Sequence, residues 1–128
     1  MAYQIQKRTH IREELQLADE TGQVRKTLIV DIVPDVFRER FMDANKAINE
    51  INDLDTDDAE KIRKMREAVL GFFNTILGEA QAQELVDFYD GMVTEAFVDI
   101  VPFVTDVIKP RLEAAVSAEK ERFQRLMQ

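Results

Sequence analysis

The chain has 128 residues, 45% of them hydrophobic and 33% charged, a composition typical of one folded domain rather than of a disordered chain. It has no cysteine, which excludes disulfide frameworks, thiol catalysis and cysteine-type zinc sites, and which agrees with a reducing cytoplasm. The net charge of −8 argues against general nucleic-acid binding, and no apolar run has the length of a signal peptide or a membrane span. We therefore expect a cytoplasmic protein with one domain over residues 1–128.

The first third of the chain predicts a β-hairpin over residues 11–33. Two runs with strand character flank a turn at residues 19–23, and the second run alternates apolar with polar residues. The alternating apolar positions are Leu28, Val30 and Ile32. Pro34 ends this pattern, because proline fixes φ, lacks a backbone donor and suits the first turn of a helix. Residues 34–128 are expected to be helical.

In this region apolar residues recur at steps of three and four, which places them on one face of amphipathic helices. The first predicted helix follows Pro34 and ends at residues 53–56. Its apolar stripe is Phe37, Phe41, Ala44, Ile48 and Ile51. The second covers residues 57–77, with Gly78 as its C-cap. Its stripe is Ile62, Met65, Val69, Phe72 or Phe73, and Ile76.

Three shorter segments follow. A helix over residues 79–89 is expected to bury Ala82, Leu85, Val86 and Tyr89, and Asp90-Gly91 breaks the chain after it. The next apolar face consists of Val93, Phe97, Ile100, Val101, Val104 and Ile108. Pro102 is expected to kink or split this helix, and Pro110 marks a further boundary.

The last predicted helix, over residues 111–127, has a weaker stripe and a highly charged surface, so we expect partial packing in an isolated monomer. Its stripe is Leu112, Val116, Phe123 and Leu126. This helix is a candidate docking element. The predicted fold is mainly α with a small N-terminal β-hairpin, an α+β chain whose four to five helices form an antiparallel bundle.

Patterns that would indicate catalysis or metal binding are incomplete. Residues 53–57 carry alternate carboxylates, as in a calcium loop, but Asp58 stands where that loop needs glycine and Lys64 where it needs a bidentate carboxylate. We therefore predict a solvated turn with capping carboxylates. His10 is the one histidine, and a surface position beside Arg8 and Arg12 is favoured over a metal or general-base role. We assign no catalytic, cofactor-binding or metal-binding residues and predict that the protein is not an enzyme.

Charge is unevenly distributed along the chain. Residues 79–106 contain seven acidic side chains and no lysine or arginine, which is typical of a solvated face or of a landing site for a basic partner segment. The basic residues of the hairpin region are Lys7, Arg8, Arg12, Arg25 and Lys26. An exposed hairpin edge could also recruit a second copy by strand pairing, which would give a homo-oligomer.

The order of segments resembles a known family. The features that carry the resemblance are the hairpin from Ile11 to Gly22, the strand ending Val30-Asp31-Ile32, and Phe-Phe-Asn-Thr-Ile-Leu-Gly-Glu at residues 72–79 before a short acidic helix. They resemble the small tail proteins of long-tailed bacteriophages and prophages of Gram-positive bacteria, often described as tail assembly chaperones. The resemblance implies a protein of the host cytoplasm that binds the tape-measure protein and helps tail-tube subunits assemble around it.

That family has no catalytic residues or cofactors to carry over. We expect a protein partner, either the tape-measure protein or tail-tube subunits, with no role for nucleic acid or membrane. The expected partner-binding residues are Glu84, Asp87, Asp90, Asp99, Leu112, Val116, Phe123 and Leu126. Three alternatives stay open: a structural tail component retained in the virion, a generic helical adaptor, and a small regulatory or catalytic protein with an unrecognised site.

Overall fold

The computed structural model describes residues 2–5 and 10–128. In this part of the chain a two-stranded antiparallel sheet precedes five α-helices, so the protein is mainly helical with an N-terminal hairpin, as expected. The elements are β1 (Ile11–Ala18), β2 (Val24–Ile32), α1 (Pro34–Glu50), α2 (Asp58–Leu77), α3 (Glu79–Phe88), α4 (Val93–Phe103) and α5 (Lys109–Leu126). A 3₁₀ turn at Ile51–Asp53 follows α1, and a π-helical turn at Val104–Ile108 joins α4 to α5.

The hairpin is fixed by its turn and by the alternation in β2. Ile11 pairs with Ile32 at its open end, and the register shifts between Leu17 and Ala18 near the turn. Asp19 organises this turn, because its Oδ1 atom accepts the N–H groups of Thr21 at 2.9 Å and Gln23 at 3.2 Å. Hydrogen bonds from the Thr21 side chain and then from Arg25 hold the pKa of Asp19 below its usual value. The three alternating apolar residues of β2 are buried, which confirms the predicted strand.

Side chains from two helices bind the outer edges of the hairpin. The Gln81 amide on α3 contacts the backbone N–H and C=O groups of Ile29 in β2. Arg111 on α5 donates to the carbonyl of Arg12 in β1 at 3.1 Å and also contacts Glu13. Outward-facing backbone groups on both strands are therefore occupied by side chains of the same chain, which restricts strand pairing with a second copy.

Local sequence features set the ends of the first helices. Pro34 stands in the first turn of α1, and the Asp57 side chain caps α2 by accepting the N–H of Glu60 at 2.8 Å. This capping role confirms that the carboxylates at residues 53–57 belong to an interhelical turn. Gly78 separates α2 from α3 with φ +80° and ψ 160°, a conformation in which a side chain is strained.

Buried side chains from the hairpin and all five helices form one cluster. Aromatic rings link three of the helices: the centroids of Phe41 and Phe72 lie 5.9 Å apart, and those of Phe72 and Phe97 lie 5.5 Å apart. Phe37 stacks on Phe41 at 5.4 Å. Among the described residues no polar or charged side chain is buried, so the free energy of this core comes from apolar burial and packing.

One predicted core position is wrong. Ile62 is 71% exposed, because no other element covers the first turns of α2 at that point. Helical spacing identifies the face on which a residue lies, but it does not show whether another element packs over that turn. Phe72 and Phe73 are both buried, whereas Phe97 and Val101 on α4 are half-buried.

The path from α4 to α5 shows how two prolines are accommodated. Pro102 lies inside α4 one residue before its end, and the backbone stays helical through the π turn, so the chain is not split at this proline. The Val104 N–H lies within bonding reach of the carbonyls of Ile100 and Val101. Pro110 lies in the first turn of α5, one turn after Asp106. A proline ring clashes with the carbonyl four residues before it, and the wider π turn relieves this clash at Asp106.

Candidate functional site

A largely apolar groove lies between α1 and α5. It consists of two adjoining cavities of about 460 Å³ and 490 Å³, which share Arg38 on α1 and Val116 on α5. Its apolar lining is Phe41, Met42, Leu112, Val116 and Phe123. We call it the α1–α5 groove. Its size is in the range of ligand-binding clefts, and its length along two helices suits a helical segment.

The groove forms because α5 leaves the core part-way along its length. Leu112 is the last buried residue of this helix, with 5% exposure, and Phe41 of α1 is buried at the same end of the groove. The 14 residue steps from Leu112 to Leu126 correspond to about 21 Å of helix, since each step adds about 1.5 Å. Val116 is half-buried, and the helix is exposed beyond Glu119.

The free end of α5 presents a stripe of large apolar side chains. Phe123 is 64% exposed, Leu126 82% and Met127 75%. Their spacing of three and four residues places Phe123 beside both of the others on one helix face. Scattered exposed apolar residues are normal, whereas these three are neighbours on one face beside an apolar groove and so form a continuous exposed apolar stripe.

The charges around the groove are balanced. Three anionic and three cationic side chains line it: Asp35, Glu113, Glu119, Arg38, Lys109 and Lys120. Glu119 accepts a hydrogen bond from Arg122 at 3.2 Å. The other five form no ion pair within residues 2–5 and 10–128. The groove therefore offers charges of both signs to a partner, in contrast to the net charge of −8 of the whole chain.

The acidic residues expected to bind a partner have contacts within the chain. Glu84 forms an ion pair of 3.3 Å with Lys26 of β2, and Asp87 accepts a hydrogen bond from Gln83 at 2.9 Å. Asp90 has φ +55° in the turn between α3 and α4. A cation distant in sequence therefore pairs with one of the seven acidic residues of the stretch 79–106.

Asp99, the fourth of these acidic residues, accepts a hydrogen bond of 2.8 Å from the Tyr89 hydroxyl. Partial burial, followed by this bond and the charge of Asp99, raises the pKa of Tyr89 to about 12. The pair thus joins the end of α3 to α4. Asp99 therefore has an evident role in holding two helices together.

The four expected residues of α5 have different positions. Leu112 is buried and forms the floor of the groove, so its side chain is not presented on the surface. Val116 is half-buried in the groove, and Phe123 forms part of its wall. Leu126 is exposed beyond the groove. Helical spacing could identify this stripe, but it could not show that only its second half is accessible.

The α1 side of the groove was not predicted. Arg38 and Met42 lie outside the apolar stripe that marks the core face of α1, so periodicity alone gives no reason to select them. Glu113 and Lys120 on α5 were likewise not selected. The pattern that could have identified them is their spacing of seven residues, which places opposite charges on one flank of the stripe.

Other reactive side chains in the described part of the chain do not converge. His10 Nδ1 lies 2.8 Å from Asp31 Oδ1, and Arg12 lies 3.8 Å from the other oxygen of that carboxylate. Lys7 and Arg8 lie outside the described residues. Within residues 2–5 and 10–128, no three His, Asp or Glu side chains gather in a metal-binding arrangement.

Among the helices of the described residues, none has both the length and the apolar character needed to cross a membrane. No protein-family model, curated protein or solved structure matches this chain.

Proposed function

We propose that this protein is an assembly chaperone or accessory protein of a bacteriophage or prophage tail, which binds a helical segment of the tape-measure protein in the host cytoplasm. It acts by binding and catalyses no reaction. The observation that carries the proposal is the exposed apolar stripe of α5 beside the α1–α5 groove. The resemblance of the hairpin and of residues 72–79 to tail assembly chaperones supports the choice of partner.

In this proposal the helices form an antiparallel bundle that is open on one side, and the client helix closes it. Apolar residues of the client at positions i, i+3, i+4 and i+7 would pack on Met42, Val116 and Phe123. Burial of such side chains is the main favourable term, at about 25 cal/mol for each Å² of apolar surface removed from water. The charges at the rim would set the register of the client rather than most of the affinity.

Co-expression with the tape-measure protein encoded beside it tests this proposal. The wild-type chain is expected to co-purify with that protein, and Phe123→Glu should weaken the complex at least about tenfold, since the loss of one buried aromatic contact is worth about 1.5–3 kcal/mol. Ile62→Glu is the matched control, because Ile62 is equally exposed but lies on α2, away from the groove. Equal binding by the wild type and Phe123→Glu would contradict a site in the groove.

The composition of purified tail particles tests the chaperone role separately. A chaperone is expected to be absent from finished particles, whereas a structural component would be present in stoichiometric amounts. The structural alternative requires the hairpin to add to a neighbouring sheet. Gln81 and Arg111 occupy outward-facing backbone groups of the hairpin, so the structure favours the groove over the hairpin as the contact surface.

A further inference from the structure

The surface of α5 is complementary to itself. We infer that a second copy of this chain occupies the α1–α5 groove, with its own α5 lying antiparallel to the first around a two-fold axis. The apolar stripe of each copy is then covered by the other. This inference does not depend on the proposed function, because it concerns the purified protein without any client, in which the second copy takes the place that a client helix would otherwise occupy.

The charge distribution allows two copies to make contact at this surface. Nearly all of the net charge of −8 lies in residues 79–106, which contain seven acidic residues and no basic ones, so this segment repels the same segment of a second copy. The groove lies outside that segment and is lined by three cations and three anions, so its own charges do not oppose contact between two copies. Glu113 and Lys120 form no ion pair among the described residues, which leaves both able to pair between copies.

The spacing along α5 fits a two-helix packing. Val116, Glu119, Phe123 and Leu126 follow at steps of three, four and three, as in the seam of a coiled coil. Leu112, four residues before Val116, is the buried floor of the groove. Glu113 and Lys120 are seven residues apart, so they lie on the same flank of this seam. In an antiparallel pair the same flanks of the two helices meet, and Glu113 of each copy opposes Lys120 of the other.

The same pattern disfavours a parallel pair. Residues at equal heights would then face each other, and Glu119 of one copy would meet Glu119 of the second in the seam. Antiparallel packing instead places Glu119 of one copy near the level of Val116 of the other. It forms the Glu113–Lys120 pair two times, once on each side of the two-fold axis. A two-fold arrangement of this kind is closed, so it gives a dimer and not a filament.

Mass measurement over a range of concentrations is the first test. Light scattering after size exclusion should give twice the chain mass of 14.8 kDa at high concentration and a lower value on dilution. Phe123→Glu should give the monomer mass with an unchanged helical circular dichroism spectrum, because Phe123 is exposed in the single chain. Ile62→Glu should remain dimeric. A monomer at the highest soluble wild-type concentration, or a dimer that survives Phe123→Glu, would overturn the inference.

Charge reversal tests the orientation and register. Glu113→Lys and Lys120→Glu should each raise the dimer dissociation constant, since each creates two like-charge contacts. The double variant Glu113→Lys/Lys120→Glu should restore wild-type dimerisation, because both pairs are re-formed with reversed signs. Two single variants without effect, or a double variant weaker than either single one, would overturn the antiparallel register.

Disulfide formation gives an independent test, since the natural chain has no cysteine. In a mixture of Glu113→Cys and Lys120→Cys proteins, the mixed disulfide should form faster than either symmetric one, because like positions are offset by about seven residues or about 10 Å along the helices. Faster symmetric cross-linking would indicate a parallel pair. These measurements use no tape-measure protein, so failure of the dimer and failure of client binding are distinguishable.

Discussion

The side-chain amide of Gln81 on α3 pairs with the backbone of Ile29 on β2 as a neighbouring strand would. Gln81 Oε1 accepts the N–H of Ile29 at 2.7 Å, and Gln81 Nε2 donates to the carbonyl of Ile29 at 2.7 Å and to that of Leu77 at 2.9 Å. The two bonds to Ile29 join the hairpin to α3, and the bond to Leu77 joins Gln81 to the end of α2. The contact also occupies part of the free edge of β2, which an unprotected hairpin would present to other chains.

Gln81→Leu is therefore expected to destabilise the protein by about 1–3 kcal/mol, because partly buried backbone groups lose their partners. Urea unfolding followed by circular dichroism measures this change. Gln83→Leu is the matched control on the same helix, since its side chain is exposed and bonds only to Asp87. A similar change in unfolding free energy for both variants would show that the contact with Ile29 stabilises the protein no more than the exposed bond of Gln83 does.

Two glycines with different backbone conformations should respond oppositely to alanine. Gly78→Ala should destabilise the protein by about 1–3 kcal/mol, because a residue with φ +80° and ψ 160° is strained once it has a side chain. Gly71 lies within α2, and a methyl group there meets no atom within 4 Å. Gly71→Ala should stabilise by about 0.5–1 kcal/mol. Thermal unfolding measures whether each variant is more or less stable than the wild type. Two changes in the same direction would contradict this account.

Titration of Tyr89 should be shifted to high pH. In a Tyr3→Phe background, tyrosinate absorbance reports Tyr89 alone, and half-ionisation is expected near pH 12. Asp99→Asn should lower this pKa, because it removes the anion that accepts the hydroxyl hydrogen bond. An unchanged midpoint in Asp99→Asn would show that the contact is absent in solution.

The same shift predicts how stability depends on pH. The unfolded chain releases the Tyr89 proton at about pH 10, whereas the folded chain retains it to about pH 12. The unfolded state therefore binds fewer protons between these values, and the free energy of unfolding falls as pH rises through this window. The contribution is fully present below pH 10. Asp99→Asn should make the fall between pH 10 and pH 12 less steep.

Aromatic residues of the core and of α5 should differ sharply in their effect on stability. Phe72→Ala should cost about 3–5 kcal/mol, because Phe72 is buried and contacts the rings of Phe41 and Phe97. The double variant Phe123→Ser/Leu126→Ser should change the monomer's unfolding free energy by no more than about 1 kcal/mol, since both side chains are exposed. Measurement in the Lys120→Glu background separates monomer stability from dimer formation. Unfolding of the double variant would assign the end of α5 to the core.

Local sequence features are enough to place most helices and strands of this protein. Period-two alternation identified β2, Pro34 marked the start of α1, and Asp57 and Gly78 marked the two ends of α2. These features act through the backbone of neighbouring residues, so they operate before any distant contact forms. The stripe on α5 was also visible, because helical spacing alone places its members on one face.

Which of these apolar faces are covered depends on how the elements pack against one another. Ile62 and Leu112 both occupy apolar helical positions, yet one is exposed and the other buried, because burial depends on elements distant in the chain. The pairing of Lys26 with Glu84, and the groove that places Arg38 opposite Val116, likewise join residues far apart in sequence. Helical periodicity describes the faces of a single helix, whereas this groove is formed by two helices, α1 and α5.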